Sequence, residues 1–206
     1  EDSSTSIYID IPKWSHVTSA SMKYTTDSTG NIIINRDNDI EFIDVWGNLS
    51  VYGISSGQDI IDLYAYNIST EKEYKIDEDI SNDQFSLSVY DGEIVYSKSN
   101  DIYYCDVKKD VNEIIKISTE EQQDYPGKHP QIYDGTVIWK SSSNEIYCRI
   151  MDTWHFIKIQ DGSYGTMGEY PSIYGRNVIW IYYENGVCYI KMANIGLLAD
   201  IAENKA

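Results

Sequence analysis

The chain has 206 residues, and its 33 acidic and 16 basic side chains give it a formal net charge of −17. This length fits one sizeable domain, and a strongly negative field argues against nucleic acid and anionic membrane surfaces as partners. The longest apolar run, VIWIYY at residues 178–183, is far shorter than the roughly 20 residues of a membrane-spanning helix, so we expect no membrane span.

The composition favours β-strands, because the chain has 19 Tyr and 5 Trp beside many Ile and Val residues, and such side chains fit a half-buried pleated surface. Cys105, Cys148 and Cys188 form no CxxC motif and are predicted to be small apolar strand residues. The chain begins at Glu1 without a recognisable leader, which leaves open whether a signal peptide has been removed.

In chain order, SIYID at residues 6–10 is the first predicted strand, and SMKYTTDSTGNIII at residues 21–34 predicts two more. Four similar segments follow: VWGNLSVY, VYDGEIVY, IYDGTVIW and IYGRNVIW. They begin at residues 45, 89, 132 and 173, so the period is 44, 43 and then 41 residues. Each combines an apolar or aromatic pair, a turn with Gly, and a second apolar run, which predicts a β-hairpin.

A third strand is predicted after each hairpin, in DLYAYN, DIYYCD, EIYCRI and GVCYIK. Three units add a fourth strand, in EYKID, EIIKIS and HFIKIQ. Residues 21–34 match residues 63–76 in layout, which predicts an earlier fifth unit. We therefore expect one domain over residues 1–206, with units at about 6–38, 39–82, 83–124, 125–165 and 166–194, and a helical or linker tail at 195–206.

Strands that recur every 41 to 44 residues predict a solenoid, a propeller or an array of small sheets. The four-stranded unit favours an all-β propeller of about five four-stranded antiparallel blades. The first unit lacks strand one and the last lacks strand four, and SIYID could supply either missing strand. If the ring does not close, the chain is a piece of a larger propeller or a subunit that joins its neighbours through its end strands.

The segments PQIYDGTVIW, NEIYCRI and FIKI, with SLSVYDGEIVY, NDIYYCD and IIKIS before them, resemble the TolB-like propeller repeats. The resemblance covers about residues 19–194 and implies a binding scaffold of the kind found in periplasmic, bacterial surface and archaeal cell-surface proteins. The proline that precedes the first strand in that family occurs here only at Pro130 and Pro171.

Acidic residues concentrate in the predicted loops of one propeller face. They include Asp37, Asp39, Asp77, Asp79, Glu120, Glu121 and Asp161. Such loops keep a repeat protein soluble, or their carboxylates bind a basic partner or Ca²⁺. The spacing of a dedicated calcium loop is absent, so we expect no resident cofactor, with Ca²⁺ as the alternative.

Exposed rings in or near loops could stack on sugars or peptides. These candidates are Tyr125, Trp154, Tyr164 and Tyr170. Packing between blades is the alternative fate of such rings.

Catalytic candidates are few. GISSG at residues 53–57 fits the G-x-S-x-G hydrolase pattern, but Ser55 lies between two predicted strands rather than on a strand-to-helix turn. His16, His129 and His155 have no partner that spacing identifies.

The sequence therefore predicts a non-catalytic extracellular or cell-surface propeller, with a periplasmic location as an alternative. Its partners would be proteins, glycans or further copies of the chain in a surface layer or filament. The alternative function is a propeller enzyme acting on polysaccharide or peptide.

Overall fold

The computed structural model is an assembly of antiparallel sheets. It describes residues 25–26, 32–33, 40–83, 85–109, 113–118, 127–141, 143–160 and 166–196. Within these ranges the chain forms 17 strands in five sheets.

The smallest sheet pairs β1 (Thr25–Thr26) with β2 (Ile32–Ile33). The first blade consists of β3 (Ile40–Trp46), β4 (Leu49–Gly57), β5 (Ile60–Asn67) and β6 (Lys72–Ser81). The second blade consists of β7 (Leu87–Tyr90), β8 (Glu93–Lys98), β9 (Asp101–Asp106) and β10 (Ile115–Lys116). The third blade consists of β11 (Lys128–Tyr133), β12 (Thr136–Lys140), β13 (Ile146–Ile150) and β14 (His155–Gln160). The last blade consists of β15 (Thr166–Tyr174), β16 (Asn177–Glu184) and β17 (Val187–Asn194).

Each blade is a simple meander, because strands adjacent in the chain are adjacent in the sheet. The predicted hairpins form where the turn residues permit them. Asp91 and Gly92 both have positive φ, as do Asp134 and Gly135, which is the conformation of the type I′ turn that suits the twist of two antiparallel strands.

Apolar clusters lie between consecutive blades, because alternate residues of a strand point to opposite faces and both faces are apolar here. In β8, Ile94 and Tyr96 belong to the cluster shared with the first blade, whereas Val95 belongs to the cluster shared with the third. A further cluster joins the third and last blades and contains Cys148 and Trp180. Consecutive sheets therefore stack face to face in chain order.

An ion pair ties the outermost strand to its neighbour in each four-stranded blade. The pairs are Lys75 with Asp62 at 3.0 Å, Lys116 with Asp101 at 2.8 Å, and Lys158 with Glu145 at 2.6 Å. The three lysines are residues of the fourth strand that the sequence predicts.

The last blade departs from this pattern. Trp139 pairs with Tyr147 in the third blade, whereas Trp180, its counterpart in the repeat, pairs with Lys191. Tyr189 therefore occupies the place that Glu145 has in the third blade, and in the described chain no fourth strand pairs with β17. The predicted strand SIYID lies outside the described residues.

Candidate functional site

Asp77 connects the first two blades. Its carboxylate accepts hydrogen bonds from the Tyr96 hydroxyl at 2.7 Å and from the Lys98 ammonium at 2.8 Å. Burial, followed by the hydrogen bond to Asp77, raises the pKa of Tyr96, which therefore stays protonated as the donor. Asp77 is thus a tie between blades, and both of its oxygens are in use.

The predicted acidic face is described only in part. Asp77 and Asp79 lie inside β6 rather than in a loop, because the strand continues past register shifts near Leu63. Asp79 has φ of 54°, and its N–H donates to Asp62 at 3.3 Å. The other members lie outside the described residues: Asp37, Asp39, Glu120, Glu121 and Asp161. Among described residues, no three His, Cys, Asp or Glu side chains come together as metal ligands do.

Two of the four predicted aromatic contact residues are described. Trp154 ends the turn between β13 and β14, is 48% exposed, and has its ring centroid 5.2 Å from the Arg149 guanidinium carbon. Tyr170 lies within β15 at an irregularity of the strand, with its ring 5.7 Å from that of His129. Tyr125 and Tyr164 lie outside the described residues.

The G-x-S-x-G match does not form a nucleophile turn. Ser55 is inside β4, and its hydroxyl donates to the Gly57 carbonyl at 3.3 Å. His155 shares a 2.9 Å hydrogen bond with Thr153, and His16 lies outside the described residues. Cys105 and Cys148 are buried, as the sequence analysis predicts for a strand cysteine, but Cys188 is exposed.

Glu145 is the centre of a buried polar cluster at the start of β13. It accepts hydrogen bonds from Lys158, Ser143 and Tyr147, each at 2.6 Å. Burial raises the pKa of Glu145, but these three hydrogen bonds outweigh it and leave the pKa below its usual 4.5. The cluster keeps a carboxylate charged inside the blade and holds β14 in place.

An aromatic ladder, which we define as Trp46, Tyr90, Tyr133 and Tyr174, crosses four consecutive blades. The ring centroids are 4.2, 4.4 and 5.0 Å apart along it. Each ring is the last residue before the first hairpin turn of its blade, and the hydrogen bond with Tyr90 raises the pKa of Tyr133. The ladder was not predicted, although the aligned hairpins all place an aromatic residue at this position.

Among the described residues, several exposed apolar side chains lie on one face of the last blade. We call it the open face, formed by Ile179, Ile181, Tyr183, Cys188, Ile190 and Met192. The register pairs these residues across β16 and β17, and Ile190 and Met192 are 80% and 70% exposed. The period-two alternation of a strand predicts that these residues share a face. It does not predict that the face is exposed.

No protein-family model matches the sequence, and no curated protein matches it. Solved structures do match by shape. TolB from Acinetobacter baumannii superposes with a TM-score of 0.56 at 13% identity, over 83% of this chain and 45% of that one. A putative TolB from Agrobacterium tumefaciens gives 0.54 at 12% identity, over 72% and 58% of the two chains. A prolyl endopeptidase gives 0.58 at 9% identity, over 77% and 27%.

These matches concern the fold. The chain spans less than two thirds of each of these three proteins. Together with the repeated antiparallel four-stranded sheets, they confirm the predicted β-propeller class, and the likeness to TolB holds at the level of the fold. In the described part of the chain, no helix combines the length and apolarity of a membrane span.

Proposed function

We propose that this chain is a non-catalytic β-propeller that acts by binding and assembly, and that its open face takes a second copy of the chain. The observation that carries the proposal is the exposure of that face. Of the twelve exposed large hydrophobic side chains among the described residues, Ile179, Ile190 and Met192 lie on the open face, and Cys188 beside them is exposed as well. A contiguous apolar patch of this kind on a protein surface marks a contact site.

The occupant we infer is a second copy in a two-fold contact. The outer side of the first blade carries a buried cluster that includes Ile40, Tyr52 and Ile54, so a head-to-tail contact would meet a covered surface. A two-fold contact instead places the same patch on both subunits. It needs only the open face, whose six residues carry no formal charge.

Charge sets the conditions for this contact. Each copy has a net charge of −17, so two copies repel each other at low ionic strength, whereas salt screens the repulsion and leaves apolar burial intact. One sheet face is small beside a standard interface of about 800 Å² per partner. We therefore expect a weak dimer that strengthens with salt.

We place this assembly outside the cell or at the cell surface, with the periplasm as the alternative. The resemblance of the repeats to TolB-like propellers supports this location. An enzyme acting on polysaccharide or peptide is the other class of function to be tested, although the match to a prolyl endopeptidase supports only the shared fold.

Sedimentation velocity over a range of concentrations, at low and at 0.5 M salt, tests the proposal. We expect a monomer–dimer equilibrium that salt favours and that Ile190→Asp abolishes. Ile60→Asp is the matched control, because Ile60 is an exposed isoleucine of the first blade and its change should leave the dimer intact.

Thiol labelling of Cys188 identifies the occupant, because this cysteine lies on the open face and is exposed. A dimer makes labelling slower as protein concentration rises. Slow labelling at every concentration, with a monomer throughout, would show that another part of the same chain covers the face. That result, or fast labelling of a monomer at every concentration, would contradict the proposed assembly.

A further inference from the structure

Arg149 is a buried cation without a carboxylate. It lies in β13, opposite Val137 of β12 and Phe156 of β14, and it is 7% exposed. Its Nε has no hydrogen-bond partner, and no ion pair to Arg149 is found within the described ranges. A guanidinium has five N–H donors in a rigid fork, and leaving the buried Nε–H unpaired is costly.

Two aromatic rings flank the guanidinium. Its central carbon lies 5.2 Å from the Trp154 ring centroid and 5.5 Å from that of Phe156. Such cation–π contacts stabilise the positive charge but leave the N–H groups in the guanidinium plane available. Both rings are partly exposed, Trp154 at 48% and Phe156 at 38%.

Among the described residues, no acid forms an ion pair with Arg149, although the protein is rich in acids. Acidic side chains outnumber basic ones by 33 to 16, and both the half-buried Lys98 and the exposed Lys158 meet a carboxylate. Arg149 is flanked instead by the rings of Trp154 and Phe156.

We propose that Arg149, Trp154 and Phe156 form a binding site for a ligand carboxylate. The two carboxylate oxygens accept hydrogen bonds from N–H groups of Arg149, whose fork geometry suits them. The apolar remainder of the ligand packs on the exposed Trp154 ring. A singly charged carboxylate suits this site better than a phosphate, because the net negative charge of the protein repels a dianion more strongly. This site is separate from the open face, so either proposal can fail alone.

The three arginines of the chain make a direct test possible. Titration of ¹⁵N-labelled protein with sodium acetate, followed through the arginine Nε–H signals, should shift the Arg149 signal with saturation. Sodium chloride at matched ionic strength and acetamide should not shift it. Arg149→Met removes that signal, and Arg176→Gln is the matched control that should leave the titration unchanged.

Trp154→Ala keeps the guanidinium and should weaken acetate binding. Arg149→Met removes the guanidinium, and calorimetry should show carboxylate binding weakened by at least about tenfold. Equal shifts with chloride, or no saturable shift with acetate, would overturn the proposal. A clear loss of stability in Arg149→Met without an acetate shift would make Arg149 a structural cation.

Two further pairs of probes then distinguish the source of the carboxylate. An acetylated dipeptide with a free C-terminus is compared with its amide, and glucuronate is compared with glucose. Preference for the free peptide acid points to a peptide end, and preference for glucuronate points to an acidic sugar. Equal indifference to all four, when acetate has shifted Arg149, would contradict a carboxylate-bearing biological ligand.

Discussion

The two faces of the last blade are built from the same strands and have opposite environments. Trp180 is 5% exposed against the third blade, while Ile179 beside it is 44% exposed on the open face. Across the strand pair, Lys191 faces the inner side and Ile190 the outer one. Both faces are apolar because a propeller blade normally contacts a neighbour on each side.

The difference between the faces shows what alternation of apolar residues along a strand predicts. It indicates that a face is able to pack against a neighbour, and not whether a neighbour covers that face. In β8 of the second blade the same alternation gives burial on both sides, since Ile94 and Val95 are both fully buried. Whether an apolar residue of a blade is buried in the core therefore depends on whether another blade packs against its face.

The sharpest test of this comparison is a pair of substitutions on adjacent faces. Trp180→Ala should lower the free energy of unfolding by about 3 to 5 kcal/mol, because it leaves a cavity in a packed cluster. Ile190→Ala should change it by less than about 0.5 kcal/mol at concentrations where the protein is monomeric. Urea unfolding measures both, and a similar loss for the two would show that the open face is covered.

A second test concerns the tie that the third blade has and the last blade lacks. Glu145→Gln should cost about 2 kcal/mol at neutral pH, because it weakens charge-assisted hydrogen bonds to a buried carboxylate. Glu184→Gln, at the end of β16, is the control and should have no measurable effect.

The Glu145 effect has a defined pH dependence. The folded-state pKa is lowered, so the stabilisation is complete above the usual value of 4.5 and is lost as the pH falls through the folded-state pKa. Unfolding curves of the parent and Glu145→Gln proteins should therefore converge below pH 4.5. A constant difference down to acid pH would contradict this assignment.

The smallest expected effect is in the aromatic ladder. Tyr133 contacts a ring on each side, whereas Tyr174 contacts one ring within the ladder and is 75% exposed. Since each aromatic pair contributes about 0.5 to 1.5 kcal/mol, Tyr133→Ala should cost roughly 1 kcal/mol more than Tyr174→Ala. Thermal unfolding measures the difference, and equal costs would mean that a further ring covers Tyr174.

Much of the fold could be predicted from the repeat. The hairpins form at the aligned Gly turns, and the fourth strands form around Lys75, Lys116 and Lys158, because turn chemistry and period-two alternation are local properties. The strand limits were harder to predict. β6 runs through Asp77 and Asp79, where acidic composition predicted a loop, since pairing with β5 continues past the register shifts.

The candidate sites were predicted less well. That Trp154 is a contact residue stays a prediction from its place near a turn, and Arg149 beside it could not be predicted because it lies within a strand and gives no motif. The open face was missed because the residues that form it alternate with residues of the core.

The sequence by itself determined the repeating strands and turns and the acidic balance of the chain, because these follow from side-chain type and short-range periodicity. Only the tertiary structure decided which apolar face has a neighbour, which carboxylate meets a lysine, and which arginine lies against aromatic rings. Those outcomes depend on contacts between residues far apart in the chain, as when Gly135 N–H reaches Glu93 at 3.0 Å across two blades.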